Sequence, residues 1–155
     1  MRIQISSSSL PVIKSLPSSI PLSEAMVLGS VKHPQKFGGC YDTDANGITA
    51  SCGIAAAVDA VTGLDDAIKA NECVIGEEVF PILGHPVPGG CPQCGELEAF
   101  SSLYQVVLLD RVYSVIMHLN DDHRWSRPKQ AEWVKSVEDS LKPQEAPSAV
   151  QAVEA

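Results

Sequence analysis

The sequence predicts an α+β fold, a helix-rich small domain with one β-hairpin and a clasp of two cysteines and two histidines. Three observations carry that expectation. Asn46-Gly47 lies between short arms holding Phe37, Tyr41, Ile48 and Cys52, the pattern of a two-residue hairpin turn. Beyond it come an alanine-rich stretch and then apolar residues at three- and four-residue spacing, which call for helices. Finally, Cys91-x2-Cys94 is followed after 23 residues by His118-x4-His123.

The first 20 residues, MRIQISSSSLPVIKSLPSSI, are rich in Ser and Pro and read as a disordered tail without the apolar segment of a secretory signal. A short helix follows, with Ser23 as N-cap, Glu24 in its first turn and Gly29 at its end. After the hairpin, Gly53 leads into IAAAVDAV. There Ala55, Ala56, Ala57 and Ala60 leave room for a neighbouring backbone. Thr62-Gly-Leu-Asp65 has the form of a capping box for a second helix, Asp65 to Ala70. Residues 73–83 suggest one short strand, and GHPVPGGCPQCG is too dense in Gly and Pro for a helix.

From Phe100 to Asn120 the apolar residues cover both faces, the pattern of a buried helix, although the β-branched content leaves a strand open for part of it. The last helix starts at Ser126 and buries Ala131, Val134, Val137 and Leu141, with Trp133 beside them; Pro143 stops it. Residues 21–142 are thus expected to form a single domain, and 143–155 a disordered tail.

With 155 residues and 45% apolar content, the chain is long enough for one real core. Its formal net charge of −8 repels phosphate backbones, so nucleic acid is a disfavoured partner. No stretch reaches the roughly 18 uncharged apolar residues of a membrane span. Five cysteines, of which Cys40, Cys52 and Cys73 are scattered, do not form the disulfide framework of a small secreted domain. That usage suggests a reducing, cytoplasmic setting.

Cys91, Cys94, His118 and His123 are the candidate metal ligands, because two thiolates and two imidazoles complete a tetrahedral zinc site. In C-P-x-C-G the proline stiffens the turn and the glycine frees the backbone, as a zinc knuckle requires. On a continuous helix, residues five apart point about 140° from each other, so the histidines converge only if the helix ends near His118 and the chain bends at Asn120-Asp121-Asp122. The spacer exceeds the roughly 12 residues of a DNA-reading finger. The expected zinc is therefore structural, with no catalytic residue assigned. His85 and Cys73 are substitute ligands, and Asp121, Asp122 and Glu96 are either solvated charges or partners of the ligands.

Two other readings compete. C-P-x-C also suits a dithiol oxidoreductase with Cys91 as nucleophile and Cys94 as resolving thiol. Arg124, Arg127, Lys129 and Lys135 around the last helix could give a nucleic-acid-associated regulator, although acids interleave with them. Asp42-Thr-Asp44-Ala-Asn46-Gly47 opens like a calcium loop, but Gly53 stands where the loop needs a bidentate Glu.

HLNDDHRWSRPKQAEWVKSVE, from His118 to Glu138, resembles the C-terminal signature H-L-N-D-x-H-x-W-S/T-R-x-x-I-A-x-W-V/L of small bacterial and phage proteins. Gln130 departs from it, standing at the isoleucine. LSEAM-x-LG, the Cys52 to Val61 stretch and C-P-x-C echo the same proteins upstream. The resemblance implies a whole-chain domain and a recurring Cys/His set, and brings no activity. The function expected is a small zinc-stabilised, non-enzymatic accessory protein, linked to phage or mobile elements and acting on an unidentified protein partner.

Overall fold

The computed structural model describes residues 17–63, 72–100 and 105–144, without the side chains at 72–74. Among these residues the fold is α+β, with five α-helices and two small antiparallel sheets. The second expected helix, Asp65 to Ala70, lies outside the described residues, as do most of both expected tails.

Helix α1 spans Leu22–Ser30 and α2 spans Gly53–Thr62. They cross in close backbone contact: a Cβ at Gly29 would sit 1.9 Å from the Ala56 carbonyl oxygen. Gly29 therefore serves packing, whereas the sequence suggested that it ends the helix; α1 runs one residue further and is capped by Val31. Its N-cap is Pro21 in place of the expected Ser23. The Ser23 amide and hydroxyl are instead taken by the Glu138 carboxylate, which ties α1 to the last helix.

Between these helices lies the expected hairpin, β1 (Tyr41–Thr43) and β2 (Thr49–Ser51), with Asp42 opposite Ala50. Asp44 Oδ1 accepts the amides of Asn46 and Ile48, and Gly47 has φ 77°, so the acidic stretch is spent on making the turn. Cys52 caps α2 through its sulfur, which accepts from the Ala55 amide.

The strand expected at 73–83 is a helix, α3 (Glu72–Val79), followed by a 3-10 turn at Pro81–Gly84. The structure supplies a reason that local propensity lacks: Gly76, a poor helix former, lets α3 press against Ile54 and Leu83, each 3.1 Å from where its Cβ would be.

The long apolar run resolves into two elements. A second hairpin pairs β3 (Glu98–Phe100) with β4 (Val106–Leu108), and α4 begins only at Val112 and ends at Asp121. That division explains why both faces read as apolar, since the helix itself buries one stripe, Val112, Val115, Ile116 and Leu119. Helix α5 (Arg127–Leu141) matches expectation at both ends, with Ser126 Oγ accepting from the Lys129 amide and Pro128 in the first turn. Its stripe buries Ala131 and Val134, but Leu141 is exposed.

A main core of α1, α2, α3, the 3-10 turn, α4 and α5 is joined by a smaller cluster of Cys91, Leu109, Val115 and Leu119, with Trp125 and Trp133 packed on it. Cys40 is disulfide-bonded, whereas Cys91 and Cys94 are free thiols. No described helix is long and apolar enough to cross a membrane.

Candidate metal centre

The knuckle starts where backbone geometry leaves no alternative to glycine. Gly90 has φ 67°, and a Cβ there would lie 2.3 Å from the Glu96 carbonyl oxygen. Cys91 N–H donates to that carbonyl at 3.0 Å, and Gly95 N–H returns to the Cys91 carbonyl at 2.9 Å. The chain thus closes a tight loop around the two cysteines. Inside it, the Gln93 amide donates to Cys91 Sγ at 3.4 Å. The Trp125 indole N–H donates to Gln93 Oε1 and anchors the loop to the segment after α4.

The histidines arrive from the other side. His118 lies in the last turn of α4, which ends three residues later at Asp121, within the Asn120-Asp121-Asp122 stretch where the sequence placed the bend. The chain turns back just afterwards. His123 N–H donates to the His118 carbonyl and Trp125 N–H to that of Leu119, and Arg124 makes the reversal with φ 52°. The left-handed region disfavours a residue with a Cβ; here the Arg124 guanidinium rests 4.6 Å from the Phe37 ring centre.

The outcome is convergence. Ligand atoms of Cys91, Cys94, His118 and His123 all lie within 4.8 Å of one another and could hold a metal ion. His118 Nε2 is 3.4 Å from Cys94 Sγ and 3.1 Å from His123 Nε2. The Asp122 carboxylate, which can only accept, lies 2.5 Å from His118 Nδ1. Nδ1 therefore carries the proton, and the Nε2 lone pair faces the cluster. Contact with His118 brings the Cys94 thiol down to about 6, whereas burial raises that of Cys91.

All four sequence candidates meet. His85 is not in the group; its carbonyl accepts from Val112 N–H. Cys73's side chain lies outside those described. The other carboxylates divide: Asp122 backs His118, and Asp121 accepts from the Gly38 amide.

The basic cluster of the last helix is dispersed. Arg127 is 6% exposed and donates to the carbonyls of Ser30, His33 and Ser51. Lys129 lies over the Trp125 ring, and Lys135 pairs with Asp139. Sequence reasoning also missed a polar network next to the centre. Asn120 Oδ1 accepts from Gln35 and Gln130, and the Trp125 carbonyl accepts from the same two amides. Gln130 is fully buried. Its amide joins α5 to the end of α4.

A second titratable group, Tyr41, His33 and Asp59, does not form a relay. Tyr41 Oη and Asp59 Oδ2 both meet the same ring nitrogen, His33 Nε2, at 2.8 and 3.2 Å. A proton relay needs the two opposite nitrogens of the ring.

No family model, curated protein or solved structure matches the chain.

Proposed function

We propose that the protein is a small zinc-stabilised accessory protein, with Cys91, Cys94, His118 and His123 as four ligands of one structural Zn²⁺. The observation that carries this reading is the spacing of the donor atoms. Zn–N bonds of about 2.0 Å and Zn–S bonds of about 2.3 Å at tetrahedral angles put neighbouring donors about 3.3 to 3.8 Å apart. The 3.1 and 3.4 Å separations around His118 Nε2 lie at the short end of those edges. Charge agrees, since two thiolates and two neutral imidazoles neutralise a dication. A thiolate at buried Cys91 also needs a cation beside it, because burial disfavours its ionised form. Four protein ligands leave no open position for substrate, which favours a structural role over a catalytic one.

The role of the zinc is to fasten the knuckle to the exit of α4. Between Cys94 and His118 in the chain lies the β3–β4 hairpin, where Phe100, Val106 and Leu108 are exposed. Exposed apolar side chains of this kind suit a protein partner. The dithiol oxidoreductase has less support: its nucleophile, Cys91, is the buried thiol, and C-P-Q-C lies in a turn, not at a helix N-terminus. A nucleic-acid regulator would have to work without the inward-facing Arg127.

The phage or mobile-element link rests on the His118 to Glu138 resemblance alone, and cytoplasmic residence is likewise part of the proposal. The Cys40 disulfide argues against that residence, so alkylation of thiols in intact cells tests it: a cytoplasmic protein is expected to be trapped with Cys40 reduced. The main test is metal analysis of protein purified without chelator or a histidine tag. We expect about one zinc per chain, lost in His118→Ala; metal-free wild-type protein would refute the reading.

A further inference from the structure

The four ligands differ in their access to solvent, and that asymmetry has chemical consequences if the metal reading holds. Cys94 is exposed, Cys91 is 2% exposed, and their sulfurs lie within the same 4.8 Å group. Cys52 is fully buried in the main core. A small oxidant arriving from solvent therefore meets Cys94 first, and Cys91 is the thiol held within reach of it.

We infer that Cys91 and Cys94 form a redox-sensitive release for the metal, in which a hydroperoxide converts the ligand pair into a disulfide. The Cys94 thiolate attacks one peroxide oxygen. The O–O bond breaks, giving Cys94 sulfenic acid and an alkoxide or hydroxide that takes up a proton. The Cys91 thiolate then attacks the Cys94 sulfur. The S–O bond breaks, hydroxide leaves and is protonated to water, and the S–S bond forms. Two electrons pass from the thiolates to the peroxide, two protons are consumed, and the metal dication leaves, since a disulfide has no thiolate to offer it. The C-x2-C spacing is the one that dithiol–disulfide chemistry uses elsewhere. In this chain it serves regulation of the clasp and not turnover.

Release unties the knuckle from α4. The Trp125–Gln93 hydrogen bond remains as a tie between the loop and the chain after the helix, so the loop is loosened and not lost. Reduction by a dithiol and resupply of metal would restore the clasp.

The experiment begins with the metal content of the untreated full chain. Protein that carries no metal defeats the underlying metal reading, a failure distinct from that of the switch. Metal-loaded protein is then titrated with hydrogen peroxide, and the released ion is followed with a chromogenic chelator. The expected result is loss of about one metal ion per chain, together with loss of two thiols. Peptide mapping should place the new disulfide between Cys91 and Cys94, and a dithiol reductant plus zinc should reload the protein fully. Cys91→Ser should stop at a sulfenic acid on Cys94 that a cyclic diketone traps; should this variant fold poorly, the wild-type peptide map still decides between the outcomes. The inference is overturned if the metal stays bound while other groups oxidise. It is equally overturned if release comes with Cys94 sulfinic acid and no Cys91–Cys94 disulfide.

Discussion

Asp122 fixes which nitrogen of His118 keeps its lone pair, because its carboxylate accepts a hydrogen bond from Nδ1–H at 2.5 Å. Removing such a partner from a ligating histidine costs about 10- to 100-fold in metal affinity. Asp122→Ala is therefore expected to bind zinc about that much more weakly, measured by competition with a chelator of known affinity, while keeping the wild-type fold. The two thiols respond to pH with opposite signs. Cys94, at about 6, lies below its ordinary value of 9.0, so its contribution to the metal-free fold is complete above pH 9 and disappears as pH falls through about 6. Cys91, raised by burial, contributes below its ordinary value and loses that contribution as pH rises past it. With zinc bound, protons compete for the same donors, so acidification is expected to release the metal, read by dialysis and elemental analysis. At this scale the sequence was legible wherever chemistry fixes spacing, as in C-x2-C and H-x4-H. It was not legible for Arg127, because a charged residue reads as surface. What turns it inward is a set of carbonyls from Ser30, His33 and Ser51, far away in the chain.

Elements were readable where a local signal and the tertiary demand agreed. Asn46-Gly47 made the first hairpin plain, and Ser126 with Pro143 bracketed α5. Elements were hidden where the two diverged. Val106–Leu108 and the residues of α4 share a three- and four-residue spacing by coincidence, so strand and helix ran together as one apparent helix, and only the β-branched content left a strand open for part of it. The break lies at Asp110-Arg111, where Arg111 becomes the N-cap and Ser114 Oγ accepts its amide. Gly76 and Gly29 look like helix breakers, yet both mark close packing, a property of the partner helix that the segment itself does not encode. The α1–α2 crossing carries a direct prediction. Gly29→Ala places a methyl 1.9 Å from the Ala56 carbonyl oxygen, so one helix has to move. Overpacking of this kind costs about 1–3 kcal/mol, and chemical denaturation should show it as a lower midpoint. A substitution at exposed Val31, just beyond the end of the same helix, should change it little.

The molecule as a whole divides its stability between two unlike sources. The main core joins the five described helices, with Leu22, Met26, Ile54, Leu83 and Ile116 fully buried. The smaller cluster has four buried members, and one of them, Cys91, is a proposed ligand. Small metal domains without a real core unfold when the ion leaves, because binding energy and folding energy are there the same quantity. This chain has a real core, so the same removal should act locally. Chelation is expected to leave the helical circular dichroism of α1, α2 and α5 largely in place and to lower the melting temperature. Amide protection should be lost first at 91–97 and 122–125, where backbone bonds such as Cys91 N–H to Glu96 and Trp125 N–H to Leu119 flank the proposed ligands. Hydrogen exchange with and without chelator reads this directly. Uniform loss of protection across α1 and α2 would mean that the ion holds the whole fold; unchanged protection at 91–97 would mean that the knuckle stands without it. The Asn120–Gln35–Gln130 network lies between the two regions, and its amides should respond at an intermediate rate, because it joins the end of α4 both to α5 and to the segment entering the first hairpin.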